Sequence, residues 1–164
     1  MSKTRIRSIG LGALGVLVLL STASLALGAE QTRETYTAQV EPICKANTAA
    51  NERILKDVKS EVKAGKLKPA AASFAKAASA LKKTLTQLKA VPQPSADTAK
   101  LTKWLGYIKG EAELFEKTAA KLKAGDKNGA QAMAIRLTHT ANLANNQVLA
   151  FEFTDCRVDP SQFT

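Results

Sequence analysis

The two cysteines are the most reactive side chains of the chain, and their spacing limits the chemistry that they can perform. Cys44 lies in the segment VEPICKAN, and Cys156 lies far downstream in FTDCRVDP. Thiol redox sites usually carry both cysteines in a CxxC motif. Because these two are separated by most of the chain, the sequence argues against redox catalysis and favours a structural disulfide.

The single histidine, His139, is the next candidate for catalysis or for holding a metal. Covalent haem attachment needs CxxCH, which the sequence lacks. A non-covalent haem would need Met133 as its second ligand, but this spacing puts the two side chains on different faces of one helix. A carboxylate-bridged metal pair needs Glu-x-x-His motifs, whereas Arg136 occupies that position here. We therefore expect no metal, no cofactor and a histidine at or near the surface.

Three glutamates in the segment GEAELFEK form a short carboxylate cluster: Glu111, Glu113 and Glu116. Glu113 and Glu116 share one helical face beside Lys117, and we interpret the cluster as a solvated face, not as an acid–base pair. Neither the nucleophile motif GxSxG nor the phosphate loop GxxxxGK[ST] occurs in the sequence. Since no catalytic set is present, we expect that the protein is not an enzyme.

The lysines are distributed unevenly along the chain. Residues 62–96 contain seven lysines and no acidic residue. Four of them fall on one predicted helix and are our candidates for binding an anionic surface: Lys76, Lys82, Lys83 and Lys89. The alternative is a solvated face that acidic residues of neighbouring helices partly balance. We expect an anionic wall polymer, a membrane surface or another exported protein as partner, and not nucleic acid, because arginine and aromatic residues are scarce.

The N-terminal segment predicts export. Lys3, Arg5 and Arg7 precede an uncharged run that ends in the small residues of SLALGAE, an order typical of a secretory signal peptide. We therefore expect residues 1–29 to be a cleaved signal and the protein to be secreted or held in the extracytoplasmic cell envelope. The alternative is an uncleaved anchor, since the run is long enough to span a membrane. Without this segment the net charge falls from +10 to +7, because it holds three of the 24 basic residues and none of the 14 acidic ones.

Residues 30–164 predict a single all-α domain. Apolar residues recur every three or four positions, which is the helical period, over residues 34–64, 69–90, 96–124 and 127–153. Four helices with short links favour an up-down-up-down four-helix bundle. In that order the first helix starts, and the last helix ends, at the same end of the bundle. Cys44 and Cys156 should therefore meet and staple the bundle by one disulfide in an oxidising compartment.

Residues with special backbone properties predict where the helices begin and end. Gly65 should end the first helix, and Ser95 and Asp126 should cap the third and the fourth. Pro42 lies either inside a helix that begins before it or in the first turn of one that begins near it.

Some polar residues and glycines are unusual for their predicted positions. Gly106 and Gly110 lie inside the third helix, where they indicate close helix approach or, alternatively, a bend beside a ligand. Asn47 lies on an apolar stripe and would need a buried partner or a water molecule. The last helix carries three asparagines that either bind a polar ligand or face water: Asn142, Asn145 and Asn146.

Two short segments, VEPICKAN and FEFTDCRVDPSQF, carry a resemblance. Together they resemble a group of small exported helical proteins of actinobacterial type, which have an early IC..AN segment and a cysteine after the last helix. The resemblance implies a helical bundle with a disulfide between Cys44 and Cys156, and it implies no activity. Many proteins of that group look like lipoproteins, whereas no cysteine directly follows the apolar run here.

These observations lead to two functional expectations. The leading one is an exported, non-enzymatic helical-bundle protein that binds an anionic component of the cell envelope or a protein partner. The rival one is a small-ligand carrier, or an enzyme, with a pocket between helices near Trp104, Tyr107 and Gly106. A change in the fluorescence of Trp104, the single tryptophan, on addition of a ligand would favour the rival.

Overall fold

The protein is an all-α bundle in the computed structural model, which describes residues 30–159. Its helices are α1 (Arg33–Leu55), α2 (Val58–Lys63), α3 (Leu67–Ala90), α4 (Thr98–Lys123) and α5 (Lys127–Gln147). Short 3₁₀ turns precede α4 and follow α5, at Ser95–Asp97 and Leu149–Phe151. Within residues 30–159 there is no strand and no helix long and apolar enough to cross a membrane. The predicted signal, residues 1–29, lies outside the described residues, as do residues 160–164.

The first predicted helix, 34–64, is in fact two helices. The break falls at Asp57, which takes the N-cap position of α2. Aspartate is a poor residue for a helix interior. The side chain of Asp57 makes no capping hydrogen bond, and its backbone carbonyl accepts from the N–H of Glu61 and the hydroxyl of Ser60. After the break, Val58 is buried in a small second core together with Ala70 and Leu122.

Glycine ends two of the helices. Gly65 follows α2, as predicted, and Gly125 follows α4, both with left-handed backbone (φ 75° and 78°). In each turn the residue after the glycine donates its N–H to the carbonyl five positions earlier, which is a Schellman motif. Asp126 caps α5 as predicted, because its carboxylate accepts the N–H of Gly129 at 2.7 Å. Pro42 is exposed inside α1, which begins before it.

The start of α4 differs from the prediction that Ser95 would cap it. α4 begins at Thr98 with Asp97 as its N-cap, and Ser95 lies in the preceding 3₁₀ turn. The carboxylate of Asp97 is held by Arg33 of α1, with Nε–Oδ2 and Nη2–Oδ1 distances of 2.5 and 2.8 Å. This hydrogen-bonded ion pair keeps the pKa of Asp97 below its usual value and ties the start of α1 to the start of α4.

The long helices pack in chain order, α1 on α3, α3 on α4 and α4 on α5, as expected for an up-down-up-down bundle. Their shared core contains large, fully buried side chains such as Tyr36, Leu88, Leu101, Trp104 and Leu137. The backbones of α1 and α5 stay apart over most of their length. The bundle is therefore open along one side, and the residues after α5 become important for closing it.

A disulfide joins Cys44 and Cys156, whose Cα atoms are 4.9 Å apart, so the predicted staple is confirmed. Cys44 lies near the middle of α1, not near its start, so the chain must return along the bundle to reach it. The last helix accordingly ends at Gln147 instead of 153, and Glu152 turns the chain with left-handed backbone (φ 53°). In the chain-entropy model, closing so long a loop stabilises the fold by about 4–5 kcal/mol.

Candidate functional site

The C-terminal tail, residues 152–159, bridges α1 and α5 and is held from both sides. On α1, the carboxylate of Glu41 accepts the backbone N–H groups of Thr154 at 2.9 Å and Asp155 at 2.7 Å. On α5, the amide of Asn145 accepts the N–H of Val158 at 3.0 Å and donates to its carbonyl oxygen at 2.7 Å. Together with the disulfide, these bonds fix the tail across the open side of the bundle.

The asparagines have different roles from one another. Asn47 has the buried partner that its position requires, because the hydroxyl of Thr84 donates to its Oδ1 atom at 3.1 Å. Asn145 does neither of the two things predicted for it, since it binds the backbone of the tail. That partner lies outside α5, so the helical pattern gave no signal for it. Asn142 and Asn146 are exposed to water, as one of the two alternatives predicted.

Two adjoining spaces lie beside the tail. The inner cavity has a volume of about 30 Å³, which is the space of a single water molecule. The outer groove has a volume of about 440 Å³, which is within the range of small-molecule sites. α1, α3, α4 and the tail all contribute to the walls of both. Five residues line the two spaces together: Asn47, Thr48, Leu81, Glu111 and Val158.

Glu111 of α4 lies where the cavity and the groove meet, and only 3% of its surface is exposed. Its Oε1 atom has no hydrogen-bond partner among residues 30–159. Burial raises the pKa of its carboxyl to about 8. The predicted solvated face is therefore wrong for Glu111. It is right for Glu113 and Glu116, which form half-exposed ion pairs with Lys109 and Lys82.

The sequence did contain a signal for this burial. Trp104, Ile108, Phe115 and Leu122 lie on the buried seam of α4, and Glu111 occupies the position that continues their spacing of three and four residues. A carboxylate at a core position is costly unless it is paired. An acidic residue in such a seam therefore deserves a functional explanation, which its charged neighbours in GEAELFEK obscured.

Asn51 of α1 supplies a second oxygen without a partner in the groove. Its Oδ1 atom is buried and accepts no hydrogen bond from residues 30–159. An unsatisfied buried polar atom costs about 1–3 kcal/mol, so such atoms are rare unless water or a ligand binds them. The groove is thus lined by two side chains with unpartnered acceptor atoms, one of them on a carboxyl group.

The rival prediction placed a pocket between helices near Trp104, Tyr107 and Gly106, and one of these three residues lines such a space. Trp104 does line the inner cavity, but Gly106 faces solvent and a Cβ atom there would touch nothing within 4 Å. Gly106 therefore marks neither a close helix approach nor a bend beside a ligand, and Gly110 leaves room for a methyl group. His139 is exposed on α5, as predicted.

The candidate lysines of α3 are all exposed, but they differ in their partners. Lys82 donates to Glu116 at 2.5 Å and is partly neutralised. The other three, Lys76, Lys83 and Lys89, make no ion pair within residues 30–159. Lys76 and Lys83 share one side of α3 and Lys89 lies about 120° around the helix from Lys83; we call the three together the lysine face. From residue 62 to residue 126, every acidic residue is either buried or in an ion pair: Asp97, Glu111, Glu113, Glu116 and Asp126.

No family model matches the chain, and comparisons with curated proteins and with solved structures also find no match. The resemblance to exported proteins of actinobacterial type stays a prediction. Within residues 30–159, no group of three or more histidine, cysteine or acidic side chains could hold a metal ion. Two features of the described structure could bind a partner or a ligand, the lysine face and the groove around Glu111.

Proposed function

We propose that the protein is an exported, non-enzymatic binding protein whose lysine face contacts an anionic surface of the cell envelope. The observation that carries the proposal is the uncompensated charge of α3. Lys76, Lys83 and Lys89 are exposed and make no ion pair within residues 30–159, while the acidic residues of the adjacent helix α4 are already buried or paired. A surface of one sign attracts polyanions, such as phosphate-rich polymers or lipid head groups, over a Debye length of about 8 Å at physiological salt.

The scaffold supports this role. α3 packs between α1 and α4, so its lysines project from a helix that is held on both sides. The disulfide supports export, because such bonds form and persist in oxidising compartments. The signal-like composition of residues 1–29 supports it as well. The proposed partner is therefore an anionic surface that is met outside the cytoplasm.

Binding to lipid vesicles tests the proposal. Vesicles of phosphatidylglycerol mixed with phosphatidylcholine should sediment the protein at low salt and release it at high salt, whereas phosphatidylcholine alone should not. Each lysine near an anionic bilayer contributes about 1 kcal/mol. Combining Lys76→Glu, Lys83→Glu and Lys89→Glu should therefore weaken binding by about a hundredfold or more. Soluble polyphosphate that competes with the vesicles would favour a wall polymer as the natural partner.

A matched variant separates the lysine face from net charge. Lys45→Glu, Lys127→Glu and Arg136→Glu together change the net charge by the same amount at exposed positions on α1 and α5. This variant should keep most of the affinity. An equal loss of vesicle affinity in the two triple variants would mean that only the net charge of the protein matters. Vesicle binding that does not change with salt concentration would contradict the proposal.

A further inference from the structure

We infer that the groove binds a small organic cation, a protonated primary amine on an apolar body, whose ammonium group contacts Glu111 and Asn51. The site is separate from the lysine face, because the lysines project from the exposed side of α3 while the groove is lined by its buried side. The groove would bind a cation, whereas the lysine face would bind an anionic surface. The inference is therefore tested independently of the proposed function.

The polar end of the groove calls for a ligand that donates hydrogen bonds. The two buried atoms without partners, Glu111 Oε1 and Asn51 Oδ1, are both acceptor oxygens. An ammonium group has three donors and a positive charge. A water molecule could satisfy the hydrogen bonds, whereas an ammonium group would also stabilise the ionised carboxylate, so that Glu111 would lose its proton when the ligand binds. Since no basic side chain within residues 30–159 makes an ion pair with Glu111, a cationic ligand would supply the partner of the ionised carboxylate.

The remaining walls fit an apolar body. Leu55, Leu81 and Phe115 line the groove beside the two acceptor atoms. The charged residues that face it come from α1 and the tail, and they are two acidic and two basic: Glu52, Asp159, Lys56 and Arg157. Asp155 of the tail lines the inner cavity, whereas α3 and α5 contribute no charged residue. The outer charges balance, so Glu111 decides the sign of the ligand.

A set of three probes with the same six-carbon body tests the inference. n-Hexylamine carries the ammonium group at neutral pH, n-hexanol has no charge, and hexanoate has the opposite charge. Hexylamine should bind saturably and change the fluorescence of Trp104, which lines the adjoining cavity. Hexanol should bind about tenfold more weakly or worse, because it lacks the charge-assisted bonds, and hexanoate should not bind.

Variants of the acceptor residues locate the site. Glu111→Gln keeps the shape of the side chain and should weaken hexylamine binding by about tenfold or more while leaving hexanol unchanged. Asn51→Leu, which leaves Glu111 in place, should also weaken hexylamine. Glu113→Gln makes the same chemical change on the half-exposed side of α4 and should have no effect. Circular dichroism of each variant checks that the bundle is folded.

The pH dependence gives a further criterion. Glu111 must lose its proton to pair with an ammonium group, so hexylamine binding should release a proton. Below neutrality, the affinity for hexylamine should therefore increase by up to about tenfold for each unit by which the pH is raised. Any of three results would overturn the inference. The first is equal affinity of the unsubstituted protein and Glu111→Gln for hexylamine, and the second is equal affinity for hexylamine and hexanol. The third is failure of hexylamine to bind at all. None of these results affects vesicle binding by the lysine face.

Discussion

Replacing Glu111 by glutamine should stabilise the protein in a pH-dependent way. Burial raises the pKa of Glu111 from 4.5 to about 8. When the pH lies between these two pKa values, the carboxyl of Glu111 is protonated in the folded protein and ionised in the unfolded chain. The unfolded state then binds fewer protons, so the free energy of unfolding falls as pH rises, by about 1.4 kcal/mol per pH unit. From pH 4.5 to pH 7, about 2.5 units, the loss is about 3 kcal/mol.

Glutamine has nearly the same shape and no charge, so Glu111→Gln should remove this loss. The variant should match the unsubstituted protein near pH 4.5 and exceed it by about 3 kcal/mol at pH 7. Such a difference is large against a typical total stability of about 5–15 kcal/mol. Urea unfolding followed by circular dichroism, at several pH values and with the disulfide intact, measures it. Taking the difference between the two proteins at each pH cancels the contribution of all other titrating groups.

The control is Glu113→Gln, whose carboxylate is half exposed in an ion pair on the same helix. Its difference from the unsubstituted protein should stay within about 0.5 kcal/mol at every pH. A Glu111→Gln variant whose advantage does not grow with pH would refute the reasoning. That result would mean that Glu111 is solvated or paired in solution, and the groove would lose its unpartnered acceptor.

Three further changes test other parts of the structure. Gly106→Ala should raise the free energy of unfolding by up to about 1 kcal/mol, because the site is exposed, helical and open to a methyl group; a less stable variant in urea unfolding would contradict this. Asn145→Ala should cost about 1–3 kcal/mol and speed hydrogen exchange in the tail, since it leaves the backbone of the tail unpaired, whereas Asn142→Ala at an exposed position should change little. Because the hydrogen bond from Arg33 lowers the pKa of Asp97, the pair should stabilise the fold at neutral pH and lose its effect as pH falls below about 4. Asp97→Asn should therefore destabilise at pH 7 but not in strong acid, and equal loss at both would exclude the ion pair as the cause.

The long helices and the disulfide could be predicted from the sequence because each depends on a repeated or global pattern. Apolar spacing placed α3, α4 and the start of α5 within a few residues, and the glycines and Asp126 marked the correct ends. The number and order of the helices then brought the cysteines together. The prediction of these features tolerates a wrong assignment at a single position, because many residues contribute to the pattern.

The candidate site could be predicted less well because it depends on single residues and on irregular backbone. The tail leaves helical geometry at Glu152, and its position is set by Glu41 and Asn145, whose partners are backbone groups that sequence patterns do not specify. Glu111 was assigned to the surface because its neighbours are charged. The lysines were easier to place, since exposed residues follow directly from the helical period. The ion pairs of these lysines were harder to predict, because Glu116, the partner of Lys82, lies on another helix.

The disulfide also determines when the fold can be completed during biosynthesis. Cys156 follows the last helix, so the bond to Cys44 cannot form until every helix has been synthesised and has left the ribosome. With only two cysteines in the sequence, no incorrect intramolecular pairing competes. Oxidative maturation therefore needs an electron acceptor but no reshuffling of bonds. A link between two copies of the chain is an alternative product, which dilution suppresses.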